Sequence, residues 1–265
     1  MTNDKSIADA GEYRSGQPII RSIGIADLRD ALVKGFADFK AVPTHLIFLC
    51  VIYPIVLLIF ARASAGYEVL PLVFPILAGY TLVGPFVATG MYELSRRREL
   101  GLETSRMRAF DVFRSQSILA ILVLGVFLMV IYFVWLVAAQ AIYGQIFGSW
   151  VPSTIAEFTE QVLDTPSGWK LIVVGSCVGF LFAVVVFAQS VVSFPMLLDR
   201  NVGIMTAIVT SVRAVLANPL TMAVWGFVVA GVLLIGSLPF FVGLAIALPV
   251  LGHATWHVYR KVVEF

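Results

Sequence analysis

His253 and His257 stand four residues apart in the string His253-Ala-Thr-Trp-His257, so a helix would carry both imidazoles on one face. His45 falls in the first turn of an apolar run expected to begin in the same leaflet. Imidazole is the commonest metal ligand, and three of them at one depth could hold a metal ion or a haem. The string lacks the glutamate of an HExxH zinc helix, and neither a Cys nor a Met cluster accompanies it. Beside Trp256 and Tyr259 the same histidines read first as anchors at a membrane edge.

A second set is polar and uncharged. Gln189, Ser190 and Ser193 fall near the end of an apolar stretch, where they could line a cavity or hydrogen-bond helix to helix. Glu93 and Asp199 each close such a stretch beside Arg96 and Arg200, an arrangement for ion pairs at the headgroup level, with proton or ion handling as the alternative. Arg96, Arg97, Arg98, Arg106 and Arg108 form a basic cluster suited to anionic lipid or to a partner protein. Cys50 and Cys177 sit inside apolar runs and read as small buried hydrophobes. A phosphate loop, a dinucleotide fingerprint and a nucleophile elbow are all missing, and Gly144, Gly148, Gly175 and Gly179 do not make one.

The elements that position these residues follow from composition. Of 265 residues 60% are hydrophobic and 13% charged, about half the charge of a soluble domain, which points to lipid as the solvent. Six runs approach the ~20 residues that cross a bilayer. They are Thr44 to Ala61, Leu70 to Tyr92, Ser117 to Ala141, Trp169 to Leu198, Leu220 to Ser237 and Leu238 to His257, the last two joined by a hairpin at Gly236-Ser237-Leu238-Pro239. With six crossings, all of the 18 Lys and Arg except Arg62 and Lys170 fall on one side. Cytoplasmic loops keep such an excess, so for a multi-pass protein in a membrane of the bacterial inner type both termini are expected in the cytoplasm. The net charge of +2 is too small to suggest nucleic acid as a partner.

Residues 1–18 are polar, with no apolar core, and read as a disordered cytoplasmic tail without a cleavable leader. Residues 19–265 then form a single six-helix transmembrane domain of the all-α class. Within it three hairpins are each preceded by an amphipathic cytoplasmic helix, giving pseudo-repeats over about 26–100, 101–202 and 203–261. The ungapped segments starting at Lys34, Arg108 and Thr210 align Phe36 with Phe110 and Val212, and Phe39 with Phe113 and Val215. In the first copy Leu28, Leu32, Phe36 and Phe39 define the apolar face, Arg29, Asp30, Lys34 and Asp38 the polar one, and Asp27 the N-cap. Pro85 and Pro249 are each followed eleven residues later by an arginine, Arg96 and Arg260. On the far side Thr154-Ile-Ala-Glu157 opens a short helix with Ile155, Phe158 and Val162 on one face.

Three strings together resemble a known family: Gly84-Pro-Phe-Val-Ala-Thr-Gly-Met-Tyr-Glu-Leu-Ser-Arg-Arg-Arg-Glu99, Phe194-Pro-Met-Leu-Leu-Asp-Arg200 and Leu248-Pro-Val-Leu-Gly-His-Ala-Thr-Trp-His-Val-Tyr-Arg260. They are similar to bacterial predicted integral membrane proteins grouped as a domain of unknown function, number 2189. The resemblance implies an inner-membrane location and carries no activity, cofactor or site. The expected function is a non-catalytic scaffold, accessory subunit or assembly partner of a membrane complex, in contact with lipid and with other subunits or copies of itself. The alternative is a transporter or channel for a small solute, ion or lipid. No cofactor is expected.

Overall fold

The computed structural model describes residues 18–45, 48, 52, 55, 70–80 and 84–265. Most of the first expected span lies outside the described residues, as do Cys50, Arg62 and the tail up to residue 17.

A short strand β1 (Ile19–Ile20) leads to helix α1 (Ile25–Ala41). Asp27 sits one turn inside α1 rather than at its cap. Its Oδ2 accepts the Gly24 N–H at 2.9 Å, which satisfies a free donor and puts negative charge at the positive end of the helix. The buried face of α1 is Leu28, Ala31, Gly35 and Asp38, not the expected Leu28, Leu32, Phe36 and Phe39. Ala31 and Gly35 let the backbones of α1 and α11 approach closely, while Phe36 and Val33 face outward. A Cβ at Gly35 would lie 2.6 Å from the Ala254 backbone nitrogen.

Helices α2 (Leu70–Tyr80), α3 (Gly84–Val87) and α4 (Thr89–Glu99) occupy the second expected span and continue beyond it. Arg96, Arg97 and Arg98 fill the last turn of α4, where cations complement the negative helix end. The second amphipathic segment, Arg106–Arg114, is a 3-10 helix instead of an α-helix. At three residues per turn, Met107, Phe110 and Phe113 form one exposed ridge while Ala109 and Val112 form a buried one.

Helix α5 (Ile118–Phe147) has 30 residues, about 45 Å at 1.5 Å each. After it α6 (Ile155–Leu163) starts at Thr154, whose Oγ1 accepts the Glu157 N–H at 3.1 Å. Helix α7 (Pro166–Ser190) has Pro in its first turn, and a two-residue break separates it from α8 (Ser193–Asp199). Helices α9 (Ile204–Ala217) and α10 (Pro219–Ser237) follow, Pro219 opening the latter. The expected hairpin is longer than the sequence suggests. Residues 238–243 are turns with positive φ at Phe240 and Phe241, and α11 (Leu244–Val262) begins six residues late. Among the described residues three stretches are apolar and long enough to cross a membrane: Ile118–Phe147, Pro166–Asp199 and Pro219–Ser237.

Helix α11 is the centre of the packing, with α1, α4 and α10 against it. Trp225, Trp256, Tyr259 and Phe194 are fully buried around it. Strand β2 (Val263–Glu264) then pairs antiparallel with β1, Ile19 opposite Glu264 and Ile20 opposite Val263, and the Arg21 N–H adds a bond to Val262 O at 2.9 Å.

Candidate functional site

Where α1, α4 and α11 meet, one carboxylate gathers three donors. Asp38 is 7% exposed. Its Oδ2 accepts from the Ser95 hydroxyl at 2.6 Å and from His257 Nε2 at 2.8 Å, and its Oδ1 accepts from Arg98 at 2.8 Å. Burial alone would raise the Asp38 pKa, but the hydrogen bonds from His257 and Ser95 outweigh it and hold the carboxyl below its usual range. With its one proton on Asp38, the Ser95 oxygen accepts from His253 Nδ1 at 2.8 Å, and His253 Nε2 is buried without a hydrogen-bond partner among the described residues.

Ser, His and Asp are all present, yet the order is wrong for a nucleophilic triad. There the imidazole bridges hydroxyl and carboxylate, so that it can take the hydroxyl proton. Here the hydroxyl is the bridge, its proton is committed to the carboxylate, and Ser95 is 1% exposed. The cluster is built to hold three helices together.

Around it lies an open recess of about 420 Å³ lined by Lys34, Arg98, Glu99, Arg260 and Lys261. Each of its cations is already paired. Lys34 meets Asp30 at 2.9 Å, Arg260 meets Glu99 at 3.0 Å, and Lys261 meets Asp27 at 3.0 Å and Asp30 at 2.9 Å. The Trp256 indole N–H donates to the other Glu99 oxygen at 3.0 Å. A recess neutralised in this way pins helix ends and offers little field to an anion.

The other candidate residues are placed as follows. His253 and His257 come together on Asp38 and Ser95, whereas His45 lies against the Phe39 ring and shares no hydrogen bond with them among the described residues. Glu93 is buried and takes Arg96 at 2.9 Å and Arg97 at 3.7 Å. The arginine cluster is largely consumed inside the chain: Arg97 also meets Asp111 at 3.3 Å, and Arg108 meets Glu103 at 3.1 Å. Arg106 is exposed and makes no ion pair among the described residues. Asp199 takes the Tyr259 hydroxyl at 2.8 Å and Arg260 at 3.3 Å, with Arg200 at 3.6 Å; Arg200 also lies over the Phe265 ring.

Gln189, Ser190 and Ser193 flank the break between α7 and α8. The Ser190 hydroxyl donates to Val186 O and the Ser193 hydroxyl to Gln189 O, each at 2.5 Å. Ser211 on α9 reaches into the break, donating to Ala188 O at 2.7 Å and accepting the Val192 N–H at 3.1 Å. Asn218 is a second tie. Its Oδ1 accepts the Ile23 N–H at 2.8 Å and its Nδ2 donates to Arg21 O at 3.0 Å, fixing the chain before α1 to the start of α10. Ser95, Glu99, Ser211 and Asn218 carry no motif; only their polarity in or beside apolar stretches marks them in the sequence.

Long apolar helices, bound to one another by buried polar ties, define an α-helical integral membrane protein. Residues 73–199 match the model of the family described as predicted integral membrane protein (DUF2189). The match runs from α2 to the end of α8, so it includes Ser95 and Arg98, whereas Asp38, His253 and His257 lie outside it. No curated protein and no solved structure matches the chain.

Proposed function

We propose that the chain is a six-span, non-catalytic scaffold, an accessory subunit or assembly partner within a larger complex of a bacterial inner membrane, with both ends cytoplasmic. The carrying observation is how its intramembrane polar groups are spent. Ser190, Ser193 and Ser211 all satisfy backbone groups at one helix break. Meanwhile α5, α7 and α10 turn large apolar residues outward, among them Val126, Val137, Phe180, Leu181 and Phe227. Such faces suit lipid and neighbouring helices. The pairing of β1 with β2 supports an even number of crossings, since adjacent strands share one side of a bilayer.

Packing also favours the three-unit reading. The 3-10 segment lies on α4, α9 on α7 and α8, and α1 on α11, so each cytoplasmic element covers the end of the span before it and the first closes onto the last. One observation favours a transporter instead: beside the break Gln189 Nε2 is buried without a hydrogen-bond partner among the described residues. The two readings separate on purification in mild detergent followed by reconstitution. A scaffold leaves the membrane with a partner chain at fixed stoichiometry and moves no solute in vesicles. Flux of an ion, solute or lipid by the chain alone, weakened by Gln189→Ala, would establish transport and end the scaffold reading.

A further inference from the structure

At the end of the bundle away from Asp38, helices α2, α5, α6 and α7 line a partly open, largely apolar cavity of about 410 Å³. Its floor is Trp135, buried, with its ring 5.6 Å from that of Phe182. Ala139 and Tyr143 continue the wall along α5, so the cavity runs about 12 Å down the helix axis. Gly175 on α7 stands in the opposite wall, and α6 turns Phe158 and Val162 inward to close the end. The aromatic donors are already used. Trp135 Nε1 donates to Pro75 O at 3.0 Å and the Tyr143 hydroxyl to Trp150 O at 3.3 Å. Apart from Ser176, what faces the space is hydrocarbon.

A void of this size is in the range of ligand pockets, about 300–1,000 Å³. Apolar cavities stay dry of water and take apolar guests. Two of the walls, α5 and α7, are helices fit to cross a bilayer, so acyl chains are the surrounding medium. Packing has been left open at one point in particular: a Cβ built on Gly175 meets no atom within 4 Å. We propose that this cavity is a binding site for one hydrocarbon tail of a membrane phospholipid, inserted beneath α6 with its end against Trp135. The site is independent of whether the chain has a protein partner.

The test uses the full chain in phospholipid vesicles whose acyl chains carry bromine, which quenches nearby indoles. The Trp135 contribution is the difference between the native chain and Trp135→Phe. It should lose most of its emission, and Gly175→Phe, which fills the cavity, should restore it. Native mass spectrometry should find one phospholipid fewer retained by Gly175→Phe, with a melting temperature no lower than that of the native chain. That count keeps the test decisive even where Trp135→Phe fails to fold. Unquenched Trp135 would overturn the proposal. Equal quenching in Gly175→Phe would overturn it too, since Trp135 would then be meeting bulk lipid. Quenching by added brominated fatty acid but not by brominated phospholipid would refute the phospholipid source.

Discussion

Asp38 is the residue on which the ionic end of the bundle turns, because it is the shared acceptor for Ser95, His257 and Arg98. Removing one partner of a buried pair typically costs 3–5 kcal/mol, and Arg98 is half-exposed and can rehydrate, so Asp38→Ala should cost about 3 kcal/mol. Ser95→Ala should cost less, about 1–3 kcal/mol, through one unsatisfied acceptor and one unsatisfied imidazole. Thermal unfolding in detergent measures both, and an Asp38→Ala chain as stable as the native one would show that the cluster does not hold the helices. The pH dependence has a definite sign. Asp27, Asp30 and Asp38 all have carboxyl pKa values below 3.8: Asp27 through the Gly24 N–H and Lys261, Asp30, lowered to about 2, through Lys34 and Lys261, and Asp38 through His257 and Ser95 against burial. Depressed carboxyls add stability that is complete above the unfolded pKa and lost as pH falls through the folded one. The melting temperature should therefore drop as pH falls from 3.8 towards about 2, and Asp38→Asn should flatten that drop. None of this was legible from spacing. Asp38 lies 57 residues from Ser95, and Ser95 lies 158 from His253. The histidine pair itself was visible, because four residues on a helix is a local relation.

At the scale of elements, local signals read well and environment read poorly. Thr154 before α6 and Pro219 at the start of α10 are short-range devices, and both elements begin there. The face of α1 was read wrongly because apolar periodicity does not say whether lipid or protein lies opposite, and here Val33 and Phe36 face outward. The 3-10 form of Arg106–Arg114 was hidden for a similar reason, since a nine-residue segment supplies apolar residues at i and i+3 for either helix type. Two substitutions probe the tight junctions. Gly35→Ala would place a Cβ 2.6 Å from the Ala254 backbone, which cannot yield without moving α11, so a loss of about 1–3 kcal/mol is expected. Ser211→Ala would strip the break between α7 and α8 of a bridge to two backbone groups, at about 1–3 kcal/mol for each group left unpaired. Melting curves of the two variants test the packing directly. A neutral Gly35→Ala would mean that α1 and α11 lie farther apart than described.

For the molecule as a whole, the strand pair ties the region around residue 20 to the region around residue 263, across the whole bundle. Arg21 and Glu264 reinforce it with a 2.7 Å hydrogen bond, and the Lys261 contacts to Asp27 and Asp30 do so one turn deeper. The Lys261 pKa is raised, chiefly by its hydrogen bond to Asp30 and against burial, so this clamp holds below 10.5 and weakens as pH rises through the shifted value. Charge counting suggested that these two regions share a side of the membrane, but it could not bring them into contact, because the sequence carries no trace of a two-residue strand whose partner is more than 240 positions away. Such a clamp makes a sharp prediction. With Cys50 and Cys177 replaced by Ser, the double variant Ile19→Cys and Glu264→Cys should form an intramolecular disulfide under mild oxidation. The two positions are directly opposite in an antiparallel pair, where Cα atoms stand about 4.5–5.5 Å apart, within the reach of a disulfide. A faster-migrating, reductant-sensitive band should appear in intact membranes, and its melting temperature should exceed that of the reduced form. In the reduced double variant, a membrane-impermeant thiol reagent should label both introduced cysteines from the same side of sealed vesicles. Labelling from opposite sides would require an odd number of crossings between them, and neither the strand pair nor the Asp38 cluster could then exist.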